Sequence, residues 1–376
     1  MRYNKLEKTG ENLSLLGFGC MRFPLEANGR IDRMNAGQMI DKAYKSGVNY
    51  FDTAYVYHEG ESEVFLGEAL LKYPRESYYI ATKLPAWQIK STEDAESVFK
   101  TQLQRLNTDY IDFYLIHSLG DYTWSKMLDF GIVDFVENLK KQGKIKNLGF
   151  SFHDHYAVFE KILRFRDWDF CQIQLNYMDK EHQAGIKGYN LARELGIPVF
   201  IMEPVKGGRL AALPSEITDG FHRIDSSAST ASWALRWAAS LPDAKLILSG
   251  MSDLSQVEDN LNTFNNFKPL NEIELNTVED AAEKLKTRGY NQCTKCGYCK
   301  MCPAGVDIQR CFRIFNDYGI YHNKSGAIWA WKNELPESKK PHNCRECGEC
   351  EKICPQRIEI IKDLKLLRKL FEEELV

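Results

Sequence analysis

The sequence predicts an α/β fold: a closed (β/α)8 barrel of the TIM type, followed by a small cysteine-rich α-helical domain. Two observations lead to this prediction. Short apolar runs alternate with segments of helical periodicity, one pair per roughly 30 residues, and two cysteine runs lie near the end of the chain. Strict alternation of strand and helix favours a parallel sheet, and eight such units within about 250 residues favour a barrel.

The eight predicted strands are short runs rich in apolar, aromatic and β-branched residues, which strands favour. A hairpin around Thr9-Gly10 precedes them. Their ranges are Leu15–Gly19, Tyr50–Asp52, Tyr78–Thr82, Ile111–Ile116, Ile145–Phe150, Phe170–Leu175, Pro198–Met202 and Lys245–Leu248. A doubly wound open sheet is the alternative. It would carry a G-x-G-x-x-G turn after its first strand, whereas Gly17-Phe18-Gly19 is followed by Cys20, Met21 and Arg22.

Eight segments between these strands repeat their apolar residues at the helical period. They are Ala36–Lys45, Ser62–Leu71, Ala95–Leu106, Ile132–Lys141, Tyr156–Arg164, Ala184–Leu195, Ala228–Ala239 and Ser255–Phe264. A further charged helix is predicted over Leu270–Arg288, and an amphipathic one over Ile358–Leu375. We therefore expect the barrel to span residues 1–287 and the second domain residues 288–376.

Length and composition are those of a soluble globular protein with a large domain and a small appendage. The 376 residues are 44% hydrophobic and 27% charged, and the formal net charge is −3. This balance argues against a nucleic-acid-binding surface, and no apolar run reaches membrane-spanning length. Because Met1–Gly10 is polar and no secretory signal follows, we expect a cytoplasmic protein.

The two cysteine runs predict iron–sulfur chemistry. Each ends in a Cys-Pro pair, and their members are Cys293, Cys296, Cys299 and Cys302, then Cys344, Cys347, Cys350 and Cys354. The second run has the C-x2-C-x2-C-x3-C-P spacing of two-cluster ferredoxins, in which the fourth cysteine ligates the other cluster. We therefore expect two [4Fe-4S] clusters, with Cys354 completing the first run's site and Cys302 the second's.

The first run departs from this pattern because only two residues precede Cys302, and Cys311 is the nearby substitute as fourth ligand. Zinc and disulfides are the alternatives. Zinc sites usually pair two C-x2-C knuckles, and disulfides require an oxidising compartment. Cys20, Cys171 and Cys311 are expected to be small buried hydrophobic residues.

Polar residues gather where the predicted barrel strands end, which is where barrel enzymes place catalysis. Asp52 ends strand two, Lys83 strand three and His117 strand four, and Tyr57 lies in the loop after strand two. The Lys83 ammonium is expected to lower the pKa of Tyr57 and Asp52 to fix the lysine. Tyr57 could then protonate a carbonyl oxygen as hydride arrives, while His117 orients that oxygen.

The segments Gly47–Tyr57, Thr82-Lys83 and Leu115-Ile116-His117 resemble the aldo-keto reductases over about residues 1–285. The resemblance implies an NAD(P)(H)-dependent reductase without a metal in the barrel. It makes Tyr57 the general acid, with Asp52 and Lys83 tuning it and His117 positioning the substrate. Met202–Gly208 and Cys296–Cys299 resemble a subgroup of this family with a ferredoxin-like C-terminal domain.

The resemblance also implies a set of cofactor-binding residues. These are Gly19, Cys20, Met21, Asp52, Ser151, Gln172, Met202, Pro204, Gly207, Arg209, Gly250, Met251, Ser252, Gln256 and Asn260. Phe152 replaces the Asn that usually holds the carboxamide beside Ser151, and Met202 replaces a stacking tyrosine. His58 stands where many members have Gly after the catalytic tyrosine, which implies a narrower mouth or an extra titrating group there. His153 and His155 either line the site or are exposed loop residues.

The expected nucleotide preference follows from the absence of positively charged side chains after the eighth predicted strand. NADP selectivity needs positive charge for the 2′-phosphate, and NADP-preferring relatives often carry Lys and Arg where this chain has Gly250 and Gln256. We therefore expect NAD or dual use, unless Arg209 reaches in from another loop.

Two functions are compatible with these features. The first is an enzyme that reduces an aldehyde or ketone, coupled to or accompanied by 4Fe-4S electron transfer with a redox partner protein. The alternative is a redox-sensing or nucleotide-binding interaction protein whose clusters are structural. Hydride carries two electrons whereas each cluster takes one, and the sequence shows no flavin motif to bridge the two.

Overall fold

The chain begins with an antiparallel hairpin, β1 (Tyr3–Lys5) and β2 (Asn12–Ser14), which turns at Gly10 with φ 93°. The computed structural model describes residues 1–293 and 296–375. In it, Leu6 and Leu13 of the hairpin are fully buried among residues of the barrel interior. The hairpin therefore contributes directly to the barrel core.

Eight parallel strands close into a barrel, which confirms the predicted fold class. They are β3 (Leu16–Gly19), β4 (Tyr50–Asp52), β5 (Tyr79–Pro85), β6 (Ile111–Leu119), β7 (Ile145–Phe152), β8 (Phe170–Gln174), β9 (Val199–Met202) and β10 (Leu246–Gly250). They pair in chain order, and β10 closes on β3 through the pairs Ser249–Phe18 and Gly250–Gly19. Aromatic rings fill the interior, with Tyr50, Phe113 and Phe200 in mutual edge-on or tilted contact.

Helices follow most strands. Those up to residue 287 are α1 (Arg33–Lys45), α2 (Glu61–Leu70), α3 (Thr92–Arg105), α4 (Asp121–Asp129), α5 (Ile132–Lys141), α6 (Tyr156–Leu163), α7 (Gly185–Glu194), α8 (Ser215–Ile224), α9 (Thr230–Ala239), α10 (Leu254–Asn265) and α11 (Glu272–Thr287). Side chains cap several of them: Asp32, Ser91 and Asp253 each accept a hydrogen bond from the backbone N–H three residues later. All eight predicted inter-strand helices and the predicted α11 are present, but α4 and α8 were not predicted.

The unpredicted helices have a simple explanation. In α4 the fully buried apolar side chains are Trp124 and Met127, and in α8 Ile217 and Phe221 are buried. Two buried apolar residues per helix are too few to establish a helical period in sequence. The sequence pattern therefore gives no prediction for either helix.

The chain packs as two compact units. The first is made of Met1–Leu210 and Ala231–Leu275, and the second of Ala211–Thr230 and Asn276–Val376. The domain boundary predicted between residues 287 and 288 stays a prediction. Among the described residues, no helix is long and apolar enough to cross a membrane.

The cysteine-rich part of the second unit is built on helices α12 (Ile308–Tyr321), α13 (Lys324–Asn333), α14 (Glu349–Lys352) and α15 (Ile360–Lys369), with a π turn over Leu370–Glu374. Phe312, Trp331, Leu364 and Phe371 form its apolar core. The amphipathic segment predicted near the C-terminus is thus α15 and its π turn, which bury their apolar face in this core.

Candidate functional site

Strained backbone marks the carboxyl ends of the barrel strands. His58 and Glu59 follow β4, Ser118 lies within β6 and Glu203 follows β9, and all four have φ between 50° and 56°. Positive φ is costly for residues with a side chain and concentrates at functional sites. The strain and the polar strand-end residues therefore occupy the same rim of the barrel.

Lys83 is at the centre of this rim. Its ammonium donates hydrogen bonds to the Asp52 carboxylate at 2.5 Å and to the Thr53 carbonyl oxygen at 2.7 Å, and it lies 3.4 Å from the Tyr57 hydroxyl. Asp52 and Lys83 have 2% and 0% of their surface exposed. The structure thus brings together three residues that are up to 31 positions apart in sequence.

Burial dominates the electrostatics of this group. It raises the pKa of Tyr57 above its usual value, and the Lys83 ammonium offsets this only in part. Lys83 thus acts on the pKa of Tyr57 in the expected direction, but burial, which the sequence did not reveal, outweighs it and makes the net shift upward. Burial also disfavours the charged form of Lys83, but the Asp52 carboxylate outweighs it, and the pKa of Lys83 is raised. Lys83 is accordingly charged and Tyr57 protonated at neutral pH.

His117 faces Tyr57 across the mouth, with the ring centroids 6.0 Å apart. The pairing of β6 with β7 shifts register between Ile116 and Leu119, so His117 lies where the regular strand pairing is interrupted. Burial, followed by the nearby Lys83 charge, holds the pKa of His117 well below its usual value, so its ring is neutral. Its buried Nδ1 has no hydrogen-bond partner among the described residues.

A buried hydrogen-bond network supports the strand that carries Lys83. Gln102 of α3 donates to the Lys83 carbonyl oxygen at 3.0 Å and to Glu63 at 2.9 Å, and it accepts from the Tyr114 hydroxyl at 2.7 Å. Arg105 links Glu63 to the Tyr55 carbonyl oxygen at 3.1 Å. The loop that holds Tyr57 is therefore tied to α2 and α3.

The residues expected to hold a carboxamide lie on neighbouring strands. Ser151 is buried, and its hydroxyl accepts a hydrogen bond from the Ser118 N–H at 2.8 Å. The Gln172 amide contacts the Met202 sulfur at 3.4 Å, while its buried Oε1 has no partner within the described chain. A buried acceptor without a donor is costly, and an amide N–H group from a ligand would satisfy it. Phe152, in contrast, packs on Phe159 in the core and offers no polar group.

The loop after β9 is fixed by an ionic contact with the loop after β8. Asp179 forms an ion pair with Lys206 and accepts hydrogen bonds from Gln174 at 3.0 Å and Asn176 at 3.2 Å. Gly207 is exposed and Arg209 half-buried along this loop, while Pro204 is buried. This loop was predicted from the resemblance, but the Asp179–Lys206 pair that holds it was not.

The loop after β10 begins α10. Asp253 caps the helix, and Gln256 is held by the Ser252 N–H at 2.9 Å and by Asp253 at 2.7 Å. Asn260 donates to the buried Ser249 hydroxyl at 2.9 Å. Hydrogen bonding lowers the pKa of Asp253, so a full negative charge stands at the start of α10.

The remaining residues predicted to contact a cofactor differ in how much of their surface is exposed. Gly19 ends β3 and lies so close to β10 that an added Cβ would sit 3.3 Å from the Gly250 backbone nitrogen. Met21 is exposed, whereas Cys20 and Met251 are almost fully buried. The side chains of Cys20 and Met251 are therefore almost inaccessible, and their contact with a cofactor stays a prediction.

The three histidines near the mouth differ in their surroundings. His153 is exposed, yet it interacts electrostatically with His117 and Glu203, so it lies at the mouth. His58 is half-buried against Phe23, with ring centroids 6.0 Å apart. His155 is exposed just before α6 and shows no such interaction in the described chain, which matches the loop interpretation.

Sequence reasoning missed Trp87. Its ring lies 5.0 Å from that of His117, and 43% of its surface is exposed. A large exposed aromatic residue four positions after Lys83, on the loop that leaves the same strand, was the available signal. Trp87 forms an apolar wall beside His117, suited to the carbon skeleton of a substrate.

The eight cysteines of the two runs line two small cavities in the second unit. The first cavity is lined by Cys293, Cys296, Cys299 and Cys354, and the second by Cys302, Cys344, Cys347 and Cys350. Burial and then the neighbouring thiols Cys293, Cys296 and Cys354 raise the pKa of Cys299. Each cavity thus combines three cysteines of one run with the fourth of the other.

The two cavities have matching local geometry. Gly297 follows Cys296 with φ 87°, and Gly348 follows Cys347 with φ 73°. Each glycine precedes a single helical turn, Tyr298–Met301 or Glu349–Lys352, that carries the third cysteine of its run. Left-handed backbone is favourable mainly for glycine, so both glycines permit the tight turn.

The three remaining cysteines are fully buried, as predicted. Cys311 lies in the apolar core of the second unit beside Phe312, and its thiol contacts the Lys339 carbonyl oxygen at 3.9 Å. It lines neither cavity, whereas Cys302 lines the second.

Comparison with known proteins agrees with this architecture. Residues 15–283 match the model of the aldo/keto reductase family, and residues 292–359 match that of the 4Fe-4S dicluster domain. The NADH-specific methylglyoxal reductase of Escherichia coli K12 is 26% identical over 307 residues, which cover 69% of this chain and 91% of that protein. The probable aldo-keto reductase 1 of Glycine max is 35% identical over 215 residues, or 54% of this chain and 59% of that protein.

Among solved structures, the aldo-keto reductase AKR11C1 of Bacillus halodurans in its holo form is similar, with a TM-score of 0.64 and 25% identity. The match covers 75% of this chain and 96% of that one. An aldo-keto reductase of Klebsiella pneumoniae shares the fold at a TM-score of 0.61, 20% identity and coverage of 74% and 95%. The barrel, the family match and the paired cysteine sites together show that the chain belongs to the aldo/keto reductase family of oxidoreductases and carries a C-terminal 4Fe-4S dicluster domain.

Proposed function

We propose that this protein reduces an aldehyde or ketone carbonyl with NADH or NADPH, and that Tyr57 is the proton donor. The observation that carries the proposal is the contact of one buried ammonium, that of Lys83, with both the Asp52 carboxylate and the Tyr57 hydroxyl. A lone buried Asp–Lys pair could be architectural. A pair that also reaches a tyrosine opposite a neutral histidine at the barrel mouth is suited to acid catalysis.

The proposed roles follow from the charge states. Tyr57 is protonated because burial raises its pKa, so it can give its proton to the oxygen of a polarised carbonyl. The nearby Lys83 ammonium then stabilises the phenolate that Tyr57 becomes. His117 is neutral and orients the carbonyl through its ring N–H, while Trp87 borders the substrate.

The carboxamide of a nicotinamide carries N–H groups, and these suit the buried Oε1 of Gln172, which has no hydrogen-bond partner within the described chain. A bound reduced nicotinamide supplies the hydride. Gln172 and Ser151 would hold its carboxamide, and Met202 would cover one face of the ring more loosely than an aromatic residue. The similarity to an NADH-specific methylglyoxal reductase supports a small carbonyl substrate and NADH use.

The second unit, we propose, holds two [4Fe-4S] clusters with crossed ligands. Cys293, Cys296, Cys299 and Cys354 would bind one cluster, and Cys344, Cys347, Cys350 and Cys302 the other, because these are the sets that line the two cavities. Such clusters are one-electron carriers. Two complete sites exceed what a structural metal requires, which supports exchange of electrons with a redox partner protein.

The test compares two tyrosines in the same loop. Tyr57→Phe removes the proposed proton donor, whereas Tyr55→Phe is the matched control, since the Tyr55 ring packs under Arg105. We expect Tyr57→Phe to lower the turnover of a reducible carbonyl by about 100-fold and to leave NADH affinity nearly unchanged. Wild-type turnover in Tyr57→Phe would rule out this assignment.

A further inference from the structure

The two cysteine runs expose apolar side chains at equivalent positions. Met301 directly precedes the fourth cysteine of the first run, and Ile353 directly precedes that of the second. Met301 has 87% of its surface exposed and Ile353 has 47%. The helical turn Tyr298–Met301 lies against the turn Glu349–Lys352, which ends just before Ile353. Exposed apolar side chains of both runs therefore stand beside the cavities that the cysteines line.

Tyr298 extends this apolar surface at the first cavity. It lines that cavity together with Cys296, Cys299 and Cys354, yet 61% of its surface is exposed. A single exposed apolar residue is common on a protein surface, but three in adjoining turns indicate a contact surface. Complexes that transfer electrons are typically formed through small interfaces of this kind.

Two cations without a counterion flank the same cavity. The Lys300 Cε lies 3.3 Å from the position that a Cβ on Gly297 would take, and Gly297 lines the cavity. Arg357 follows the cavity-lining Gln356, and its backbone N–H donates to the Cys354 carbonyl oxygen at 3.1 Å. The side chains of Lys300 and Arg357 are exposed, and neither has an ion pair or a hydrogen bond within the part of the chain that the structure describes.

The carboxylates near the second run are already engaged, three by a lysine each and one by a backbone N–H. They are Glu346, Glu349, Glu359 and Glu351. The segment 288–376 also carries more lysine and arginine than aspartate and glutamate, although the full chain has a net charge of −3. The charge left unbalanced beside the apolar surface is therefore positive, and it is complementary to a negatively charged partner.

We propose that Tyr298, Lys300, Met301, Ile353 and Arg357 form a docking surface for an acidic one-electron carrier protein. This inference rests on the proposed function of the second unit, namely that its two cavities hold clusters that carry single electrons. One electron passes between the first cluster and the docked carrier, so the member that loses it is oxidised and the other is reduced. No proton is transferred and no covalent bond is formed. The apolar residues supply the contact, and the two cations attract and orient the carrier.

An alternative role for the two cations is to offset the negative charge of the clusters themselves. Positive charge that acts on a cluster changes its reduction potential. Positive charge that acts on a carrier changes the rate of association and its dependence on salt. The experiment therefore measures both quantities.

The full-length protein with its clusters is reduced anaerobically with dithionite and freed of excess reductant. It is then mixed with oxidised flavodoxin, an acidic one-electron carrier, in a stopped-flow instrument. The second-order rate constant is measured as a function of ionic strength, and a basic c-type cytochrome is the comparison carrier. Titration followed by electron paramagnetic resonance gives the reduction potentials of the clusters.

Five variants separate charge from apolar contact. Lys300→Gln and Arg357→Gln each remove one cation, and Met301→Ser removes the most exposed apolar side chain. Lys324→Gln is the matched control for charge, since Lys324 is exposed at the start of α13 and lines neither cavity. Met34→Ser, at an exposed position of α1, is the control for the apolar change.

We expect each of the two charge variants to slow the reduction of flavodoxin by about three- to tenfold at low ionic strength, and by less at high ionic strength. Met301→Ser should slow it at every ionic strength, because an apolar contact is not screened by salt. The two controls should react like the wild type. The charge variants should reduce the basic cytochrome no more slowly than the wild type does, and their cluster potentials should be unchanged.

The other outcomes separate this inference from the function on which it rests. If the wild-type protein holds no reducible cluster, the proposed function of the second unit fails, and this inference fails with it. If the clusters are reducible and the charge variants reduce flavodoxin as fast as the wild type, the docking surface alone is wrong. A wild-type rate with flavodoxin that rises with ionic strength would overturn the choice of an acidic partner. Shifted cluster potentials with an unchanged flavodoxin rate would assign Lys300 and Arg357 to the clusters instead.

Discussion

The Lys83 ammonium donates a 2.5 Å hydrogen bond to the Asp52 carboxylate, and almost none of either side chain is exposed. Asp52 ends β4 and Lys83 lies two residues before the end of the adjacent strand β5, so the pair crosses from one barrel strand to the next. A buried ion pair does not by itself stabilise a protein, because the two charges lose their hydration. Its presence at the barrel mouth is better explained by its third contact, with Tyr57.

Removing one member of this ion pair should lower the stability of the folded protein. Lys83→Met leaves the Asp52 carboxyl buried without its cation, and we expect the free energy of unfolding to fall by about 3–5 kcal/mol. Lys72→Met is the control, since Lys72 pairs with Asp41 at the same 2.5 Å but is half-exposed. It should cost about 0–1 kcal/mol in denaturant titration. Equal losses in the two variants would show that burial of the Lys83 pair is unimportant.

The pH dependence of carbonyl reduction follows from two pKa shifts in opposite directions. Burial raises the pKa of Tyr57, so the proton donor is lost only as pH rises above about 10. Burial lowers the pKa of His117, so its ring stays neutral until pH falls well below about 6.5. We therefore expect kcat/KM for reduction to be flat between these limits and to fall outside them. Loss of activity with rising pH, centred between pH 7 and 9, would contradict the protonated state assigned to Tyr57. Loss of activity with falling pH in the same range would contradict the neutral state assigned to His117.

His117 should also affect stability in acid. Its folded-state pKa lies below the unfolded value, so the unfolded chain binds the proton first, and stability is lost as pH falls below about 6.5. His117→Gln removes this linkage and should reduce the slope of unfolding free energy against pH by up to about 1.4 kcal/mol per pH unit. His155→Gln, the same substitution at an exposed position just before α6, is the matched control. Identical slopes in all three proteins would place His117 in a solvated site.

Crossed cluster ligation predicts a pattern of iron loss in single and double variants. The wild type should contain about eight irons per chain, and Cys354→Ala about four. Adding Cys293→Ala should remove no more iron, because both cysteines line the same cavity. Adding Cys344→Ala instead should remove nearly all of it. If the Cys354 and Cys344 double variant kept about four irons, each run would hold its own cluster.

Nucleotide selectivity should respond to the charge at the start of α10. Gln256 is held there by Asp253 and Ser252, and no positive group accompanies them in that segment. We expect NADPH to bind the wild type no more than about 100-fold more tightly than NADH, and Gln256→Arg to tighten NADPH by about tenfold without affecting NADH. Asn262→Arg, later on the same helix, is the control. A strong wild-type preference for NADPH would mean that another cation, such as Arg209, reaches the 2′-phosphate.

A cluster-free protein should separate the two proposed activities. Cys293→Ala combined with Cys344→Ala removes one ligand from each cavity. NADH-dependent carbonyl reduction should survive, while reduction of a one-electron acceptor should be lost, with retained barrel structure checked by circular dichroism. Persistence of both activities would make the clusters structural, as the alternative interpretation holds.

The sequence alone was sufficient to predict the order of the strands and helices in the barrel. Each of the eight barrel strands was located within a few residues, because short apolar runs between periodic helices are a local pattern. The strand-end residues Asp52, Lys83 and His117 followed from the same pattern, since parallel strands of a barrel all end at one rim. The cysteine spacing was equally local, and it indicated the crossed sets that line the two cavities.

Only the tertiary structure decided the features that depend on closure of the barrel and on burial of side chains. The pKa of Tyr57 rises because the folded barrel removes water from its hydroxyl, an effect that outweighs the nearby Lys83 charge and that no spacing reveals. Gly19 and Gly250 are 231 positions apart in the printed sequence, and only the pairing of β10 with β3 brings them together. Sequence patterns report contacts within a loop or helix, whereas desolvation and the meeting of distant loops exist only once the barrel has closed.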